Sequence, residues 1–171
     1  MIIFLIGFMG SGKSTLGRRL AKKISYEFLD MDKLLEQHHG MSVLEMFEKN
    51  GEEWFRQQEA RLLQSFDPHR NVVIATGGGT PCQGNNMETI NAKGVSVYLR
   101  MSPSSLVCRL ATARADRPLI QNLEPAQLQD YIEKKLQERE PYYLQAHCII
   151  KGESVKPDHV IALVFGAQGV S

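Results

Sequence analysis

The feature that most constrains this chain is a glycine-rich loop between an apolar run and a helical pattern. Residues 7–15 read GFMGSGKST and match G-x-x-x-x-G-K-[ST]. They follow an apolar run at residues 1–6, typical of a buried parallel strand, and they open a predicted helix over residues 13–24. In that context backbone N–H groups and a helix N-terminus surround an anion, so the loop predicts a site for nucleotide phosphates.

The motif identifies a ligand class but not a reaction. Lys13 is expected to reach the β- and γ-phosphates, and Ser14 to offer its hydroxyl to Mg²⁺. Kinases, ATPases and GTPases share this motif. The chain has no NKxD motif of the kind with which GTPases read the base, and its 171 residues are too few for motors and large ATPases. A small-molecule kinase and a small nucleotide switch remain.

Predicted strands and helices alternate along the chain, which indicates an α/β fold with a parallel sheet covered by helices on both faces. The length favours a single domain, residues 1–171. Residues 111–123 show no clear periodicity and are predicted to form a mobile lid. Further strands are predicted over residues 26–30, 71–76, 95–99 and 148–151, and further helices over residues 31–38, 42–49, 52–65, 103–110, 125–139 and 157–165.

Composition excludes several classes of partner. The net charge of +1 argues against bulk attraction to nucleic acid or to an anionic membrane. Cys82, Cys108 and Cys148 form neither a disulfide framework nor a CxxC metal pair, which fits a reducing cytosol. No apolar run approaches the roughly 20 residues of a membrane span, and residues 1–6 are too short for a secretory signal. We therefore expect a cytoplasmic protein without nucleic-acid or membrane partners.

Two acidic residues follow the second predicted strand. Asp30 and Asp32 should lie near the phosphate loop, because ligands of open α/β sheets bind outside the carboxyl ends of the strands. One carboxylate could hold Mg²⁺, directly or through water, and the other could accept a hydroxyl proton from a phosphoryl acceptor. The alternative is an acidic helix start, favoured by capping and the helix dipole.

Three further features are candidates for the acceptor side. Arg56 precedes Glu59 by three residues on a predicted helix, so it could be held to bind a carboxylate, or it could form only a surface ion pair. Residues 77–79 are glycines that mark close approach by a ligand or a loose strand-to-helix loop. Arg117, in the predicted lid, could bring a cation to the transferred phosphate or remain solvated.

Taken in order, these motifs resemble the shikimate kinase family over nearly the whole chain. They are GFMGSGKST, then FLDMD, then Gly51 followed by FRQQE, then GGG, RPL, and Arg139 before PYY. The resemblance implies a three-layer P-loop NTPase fold with a five-stranded parallel sheet in the order 2-3-1-4-5. It also implies ATP-dependent, Mg²⁺-assisted phosphorylation of the 3-hydroxyl of shikimate, in aromatic amino-acid biosynthesis, by a chain expected to be a monomer.

The resemblance also implies a role for each matching residue. The phosphate loop would bind ATP, Asp32 would bind shikimate and act as the base, and residues 31–65 would form the shikimate-binding helical region, with Phe47 and Phe55 as apolar walls. Arg117 would reach both phosphate and substrate. The implied ATP-binding residues are Gly10, Ser11, Gly12, Lys13, Ser14, Thr15 and Arg117; the catalytic residues Lys13, Asp32 and Arg117; the shikimate-binding residues Asp32, Arg56, Gly78, Gly79 and Arg139; and the Mg²⁺ partners Ser14 and Asp30.

Two other functions stay open at this point. A gluconate kinase or a nucleoside monophosphate kinase would share the phosphate loop, but FRQQE together with GGG argues against both. A regulatory nucleotide-binding module that has lost catalysis is also conceivable, although the candidate catalytic residues are intact. The contacts to adenine are undecided between Arg109 and Leu110.

Overall fold

The computed structural model describes residues 1–111, 120 and 123–166, and it contains a five-stranded parallel sheet. The strand order is β2-β3-β1-β4-β5. The strands are β1 (Ile2–Ile6), β2 (Glu27–Asp30), β3 (Val72–Ala75), β4 (Gly94–Arg100) and β5 (Cys148–Lys151). β1 pairs with β3 on one side and with β4 on the other, so the phosphate loop leaves the middle of the sheet. Both the α/β class and the predicted strand order are confirmed.

Helices cover both faces of the sheet because β1 is apolar on both faces. Ile2, Phe4 and Ile6 pack with buried residues of α2 to α6, whereas Ile3 and Leu5 pack with those of α1 and α7. The helices are α1 (Lys13–Ile24), α2 (Met31–His39), α3 (Val43–Ser65), α4 (Asn86–Lys93), α5 (Pro103–Ala111), α6 (Pro125–Tyr143) and α7 (Pro157–Gly166), and a 3₁₀ turn spans Thr80–Cys82.

The element α3 consists of the two helices predicted over residues 42–49 and 52–65, which meet at a break at Gly51. The backbone of Gly51 has φ 83° and ψ 166°, which is not helical. Ser42 and Glu45 form a reciprocal capping box at the start of the first segment. The break separates the segment that carries Arg56 from the first segment.

Two helices, α4 and α6, differ from the sequence prediction. No helix was predicted over Asn86–Lys93, which forms α4 and buries Met87 and Ile90. Eight residues contain too few turns for a periodic pattern to stand out. The helix α6 continues past its predicted end at residue 139 to Tyr143, with Pro141 in its last turn. There a proline removes a single backbone N–H bond near the helix end.

Most of the predicted lid, residues 111–123, lies outside the described residues. Within the part of the chain that is described, no helix is both long enough and apolar enough to cross a bilayer.

Candidate active site

The loop between β1 and α1 has the backbone geometry of an anion site. Gly7, Gly10 and Gly12 have φ values of 138°, 80° and 92°, which side chains disfavour. The helix α1 begins at Lys13, and its N-cap residue is Gly12, which has no side chain that could cap the helix. Its first amide groups therefore need another partner, and a phosphate group is one that a helix N-terminus binds well.

The ammonium group of Lys13 turns back onto this loop. Its Nζ donates to the carbonyl oxygens of Gly7 and Phe8, each at 2.9 Å, and the side chain is buried. A buried cation at the start of a helix adds to the positive potential of the helix end. The loop thus concentrates positive charge where the sequence predicts phosphates.

The side chains of Ser14 and Asp30, the two predicted Mg²⁺ partners, are in contact. The hydroxyl of Ser14 donates to Oδ2 of Asp30 at 2.6 Å. The other carboxylate oxygen, Oδ1, caps α2 by accepting from the amides of Asp32 and Lys33 at 3.2 and 3.5 Å. A hydroxyl and a carboxylate are oxygen ligands of the kind that Mg²⁺ prefers, so the residues present fit this ion.

Asp32 lies in the first turn of α2 in an acidic environment. Burial raises its pKa from the ordinary 3.8 to about 6, and the carboxylates of Glu59 and Asp30 add to the rise, while Lys13 opposes it. A Cβ placed on Gly77 would lie 3.2 Å from Oδ1 of Asp32, so the carboxyl group faces residues 77–79, here called the glycine loop. A carboxyl with a pKa raised in this way is a stronger base than an exposed aspartate.

A cleft of about 380 Å³ joins the phosphate loop to Asp30 and Asp32. Its lining includes most of the predicted ATP-binding and metal-binding residues, together with Asp32 and Gly78. The lining residues are Met9, Gly10, Gly12, Lys13, Ser14, Thr15, Asp30, Asp32, Thr76, Gly78, Arg109 and Leu110. Ser11, also predicted to bind ATP, is buried within the loop itself.

Arg56 is held in a fixed position beside this cleft. Its Nη1 donates to Oε2 of Glu59 at 2.7 Å and its Nη2 to Oε1 of Glu52 at 2.9 Å, and 13% of the side chain is exposed. The guanidinium carbon lies 5.8 Å from the ring centre of Phe47 and 5.6 Å from that of Phe55. Burial alone would lower the pKa of Arg56, but Glu59 and Glu52 outweigh it and raise the pKa. This is a more ordered arginine than a surface ion pair provides.

The glycine loop after β3 is approached by both predicted carboxylate-binding arginines. A Cβ on Gly79 would lie 2.6 Å from Nη1 of Arg56, and a Cβ on Gly78 would lie 3.6 Å from Nη1 of Arg139. The guanidinium carbon of Arg139 also lies 5.4 Å from the ring centre of Phe8 in the phosphate loop. Two guanidinium groups, one from α3 and one from α6, therefore converge on the same short backbone segment.

Two polar residues of this site, Thr80 and Tyr143, were given no role by the sequence. The buried hydroxyl of Thr80 donates to Oε1 of Glu59, the carboxylate that also holds Arg56. The hydroxyl of Tyr143 donates to the carbonyl oxygen of Gly78 at 2.6 Å. Thr80 follows the GGG motif and Tyr143 ends the PYY motif, so both stand beside motifs that the sequence shows. Their hydrogen-bond partners, however, lie 21 and 65 residues away in the chain.

The predicted adenine contacts, Arg109 and Leu110, both lie against the phosphate loop. Nη1 of Arg109 donates to the carbonyl oxygen of Gly10 at 3.4 Å. A Cβ on Gly10 would lie 2.9 Å from Cδ2 of Leu110. Arg117, the predicted lid arginine, lies outside the described residues.

Comparison with a family model and with sequence relatives identifies one family. The family model described as shikimate kinase matches residues 9–166. A shikimate kinase of Phocaeicola vulgatus is 40% identical over 154 residues, which are 90% of this chain and 88% of the relative.

Solved structures agree with the sequence comparisons. The crystal structure of shikimate kinase from Bacteroides thetaiotaomicron superposes with a TM-score of 0.86 at 38% identity, over 98% of this chain and 96% of that chain. Shikimate kinase from Acinetobacter baumannii, in complex with shikimate, gives a TM-score of 0.89 at 32% identity, over 99% of this chain and 95% of that chain.

Proposed function

The chain belongs to the shikimate kinase family, and we propose that it transfers the γ-phosphoryl group of ATP to the 3-hydroxyl of shikimate. This is a step in the biosynthesis of aromatic amino acids. The observation that carries the proposal is the single cleft joining the phosphate loop to Asp32 and Gly78, with Arg56 and Arg139 at the adjoining glycine loop. Phosphoryl transfer depends on positioning and charge neutralisation, which this arrangement can supply.

ATP would bind with its phosphates on the loop from Gly10 to Thr15. The uncapped start of α1 and the buried ammonium of Lys13 support this role, because both favour negative charge. Lys13 would leave the loop carbonyls for the transferred phosphoryl group and neutralise charge as it develops. Ser14 and Asp30 would hold Mg²⁺, Asp30 through water, and the ion would neutralise charge on the β- and γ-phosphates.

Shikimate would bind across the cleft from the phosphates. Its carboxylate would meet Arg56 and Arg139, and its hydroxyls would meet Asp32 and the N–H groups of Gly78 and Gly79. Asp32 would accept the proton of the 3-hydroxyl as this oxygen attacks the γ-phosphorus, and the raised pKa supports that role. Arg117 would complete the site from the lid.

The first test is ADP release with ATP, Mg²⁺ and one acceptor at a time: shikimate, quinate, gluconate, AMP or none. Turnover that requires shikimate supports the proposal. Turnover with AMP or gluconate instead would refute the proposed substrate, and ATP binding without acceptor-dependent turnover would indicate a regulatory module.

A second test asks whether Arg56 binds the acceptor. The suitable variant is Arg56→Lys, which keeps a cation beside the buried Glu59 but loses the guanidinium group that can bind a carboxylate in a bidentate manner. We expect KM for shikimate to rise by about tenfold or more, with KM for ATP nearly unchanged. Arg61→Lys is the matched control, since Arg61 is exposed on the same helix. Equal losses for both substrates would contradict a binding role for Arg56.

A further inference from the structure

The side chain of Tyr143 links the end of α6 to the glycine loop. It is fully buried, and its hydroxyl donates to the carbonyl oxygen of Gly78 at 2.6 Å across a sequence separation of 65 residues. Burial is the main cause that raises the pKa of this phenol above its ordinary value, so the hydroxyl keeps its proton and acts as a donor. Its ring lies 5.0 Å from that of Tyr98 on β4, which limits the positions that the hydroxyl can take.

This hydrogen bond is important because its acceptor, the carbonyl of Gly78, belongs to the same peptide group as the N–H of Gly79. The carbonyl of Gly78 and the N–H of Gly79 belong to one planar unit and point in opposite directions. Holding the carbonyl therefore fixes the direction of the N–H of Gly79. A peptide between two glycines has little steric resistance to rotating as a whole, so the sequence Gly78–Gly79 does not by itself specify that direction.

The neighbouring carbonyls of the loop are held in another way. The carbonyl of Gly77 accepts from the amide of Thr80 at 3.3 Å, and that of Gly79 accepts from the amide of Cys82 at 3.0 Å. Both of these bonds lie within the loop and its 3₁₀ turn. The carbonyl of Gly78 is bound instead by a side chain of α6, and this bond ties the loop to the helix that carries Arg139.

Arg139 lies one turn before Tyr143 on the same face of α6. Its guanidinium faces Gly78, with Nη1 3.6 Å from the position of a Cβ on that residue. Tyr143 and Arg139 thus contact the same residue of the glycine loop from adjacent turns. A shift of the loop relative to α6 would break the hydroxyl bond and change the distance from Arg139 to the backbone at the same time.

We propose that Tyr143 is a positioning residue that fixes the Gly78–Gly79 peptide relative to Arg139, so that the N–H of Gly79 and the guanidinium meet the acceptor in one geometry. The proposal rests on the proposed function, in which both groups bind shikimate. Tyr143 itself would act through its contact with the loop and not by touching the substrate. Its effect should therefore appear in acceptor binding and in the dynamics of the loop.

The variant that tests this is Tyr143→Phe, which keeps the buried ring and removes the hydroxyl. The matched control is Tyr98→Phe, an equally buried ring whose hydroxyl makes no bond to the glycine loop. In Tyr143→Phe, KM for shikimate is expected to rise about tenfold, which is the effect of one lost hydrogen bond, while KM for ATP stays within about twofold. The control should leave both values near those of the wild type.

A second readout needs no substrate. Amide hydrogen exchange of the free protein should be several times faster at Gly79 in Tyr143→Phe than in the wild type or in Tyr98→Phe. Unchanged exchange, or an unchanged KM for shikimate, would overturn the proposal, and so would equal effects of the two variants on both substrates. If the wild type does not phosphorylate shikimate, the proposed function fails, and faster exchange at Gly79 would still support the structural role of Tyr143.

Discussion

Replacing Asp32 by asparagine should stabilise the protein while it strongly lowers turnover. The pKa of Asp32 is raised from 3.8 to about 6, mainly by burial and then by the carboxylates of Glu59 and Asp30. The folded state therefore binds this proton more tightly than the unfolded state does. The contribution of the protonated form to stability is fully present below about pH 4 and is lost as the pH rises through about 6.

The size of the effect follows from the shift. A pKa change of this size corresponds to about 3 kcal/mol, and partial access of solvent to the cleft reduces it to about 1–3 kcal/mol. An asparagine side chain carries no charge, so at pH 8 the Asp32→Asn variant should be more stable than the wild type by that amount. For a domain of this length the melting temperature would rise by about 3–10 °C. The difference should shrink towards zero at pH 4.

Thermal unfolding between pH 4 and pH 8, followed by circular dichroism, measures this difference directly. Asp130→Asn makes the same chemical change on the exposed surface of α6 and should show no such pH dependence. The activity of Asp32→Asn should fall by about 10²-fold or more, since an amide cannot accept the proton of the 3-hydroxyl. A melting-temperature difference that does not vary with pH would refute the reasoning about Asp32.

Two other substitutions test the acceptor and phosphate sides separately. Gly79→Ala would place a Cβ 2.6–2.8 Å from the guanidinium of Arg56, so we expect KM for shikimate to rise about tenfold with little change for ATP. Gly166→Ala, where a Cβ meets no atom of the described residues within 4 Å, should change neither KM. An effect confined to ATP would contradict the placement of Arg56. Lys13→Met should lower kcat by about 10²-fold or more. The affinity for shikimate, measured by titration calorimetry, should change little, and a loss of that affinity would contradict a role of Lys13 confined to the phosphate side.

The parts of the fold that have a strong local sequence pattern could be predicted from the sequence. The apolar run of β1 and the β-branched run of β3 predict strands buried on both faces, and both form the middle of the sheet. The break in α3 was marked by Gly51. The short helix α4 could not be predicted, because its two buried apolar residues, Met87 and Ile90, form no periodic pattern by themselves and are recognised only by their contacts with the core.

In the candidate active site, too, residues with local sequence patterns could be predicted, whereas contacts between distant parts of the chain could not. The phosphate loop is contiguous, so its glycines, Lys13 and Ser14 could be assigned from spacing alone. The ordering of Arg56 was only partly visible, because Glu59 lies three residues away but the hydroxyl of Thr80 comes from 21 residues beyond Glu59. Tyr143 was invisible as a partner of Gly78, since nothing in a sequence tells which backbone carbonyl a buried tyrosine will reach.

The three glycines after β3 explain why these distant parts can meet. A Cβ on Gly77 would lie 2.5 Å from Oε1 of Glu59, and one on Gly78 would lie 3.0 Å from the amide nitrogen of Met9 in the phosphate loop. A Cβ on Gly79 would reach the guanidinium of Arg56. Gly77 and Gly79 thus leave space for α3, and Gly78 leaves space for the phosphate loop. Glycine costs backbone entropy wherever it is ordered. That cost is offset because the loop, once held by Thr80 and Tyr143, brings α3, α6 and the phosphate loop within contact of one short backbone segment.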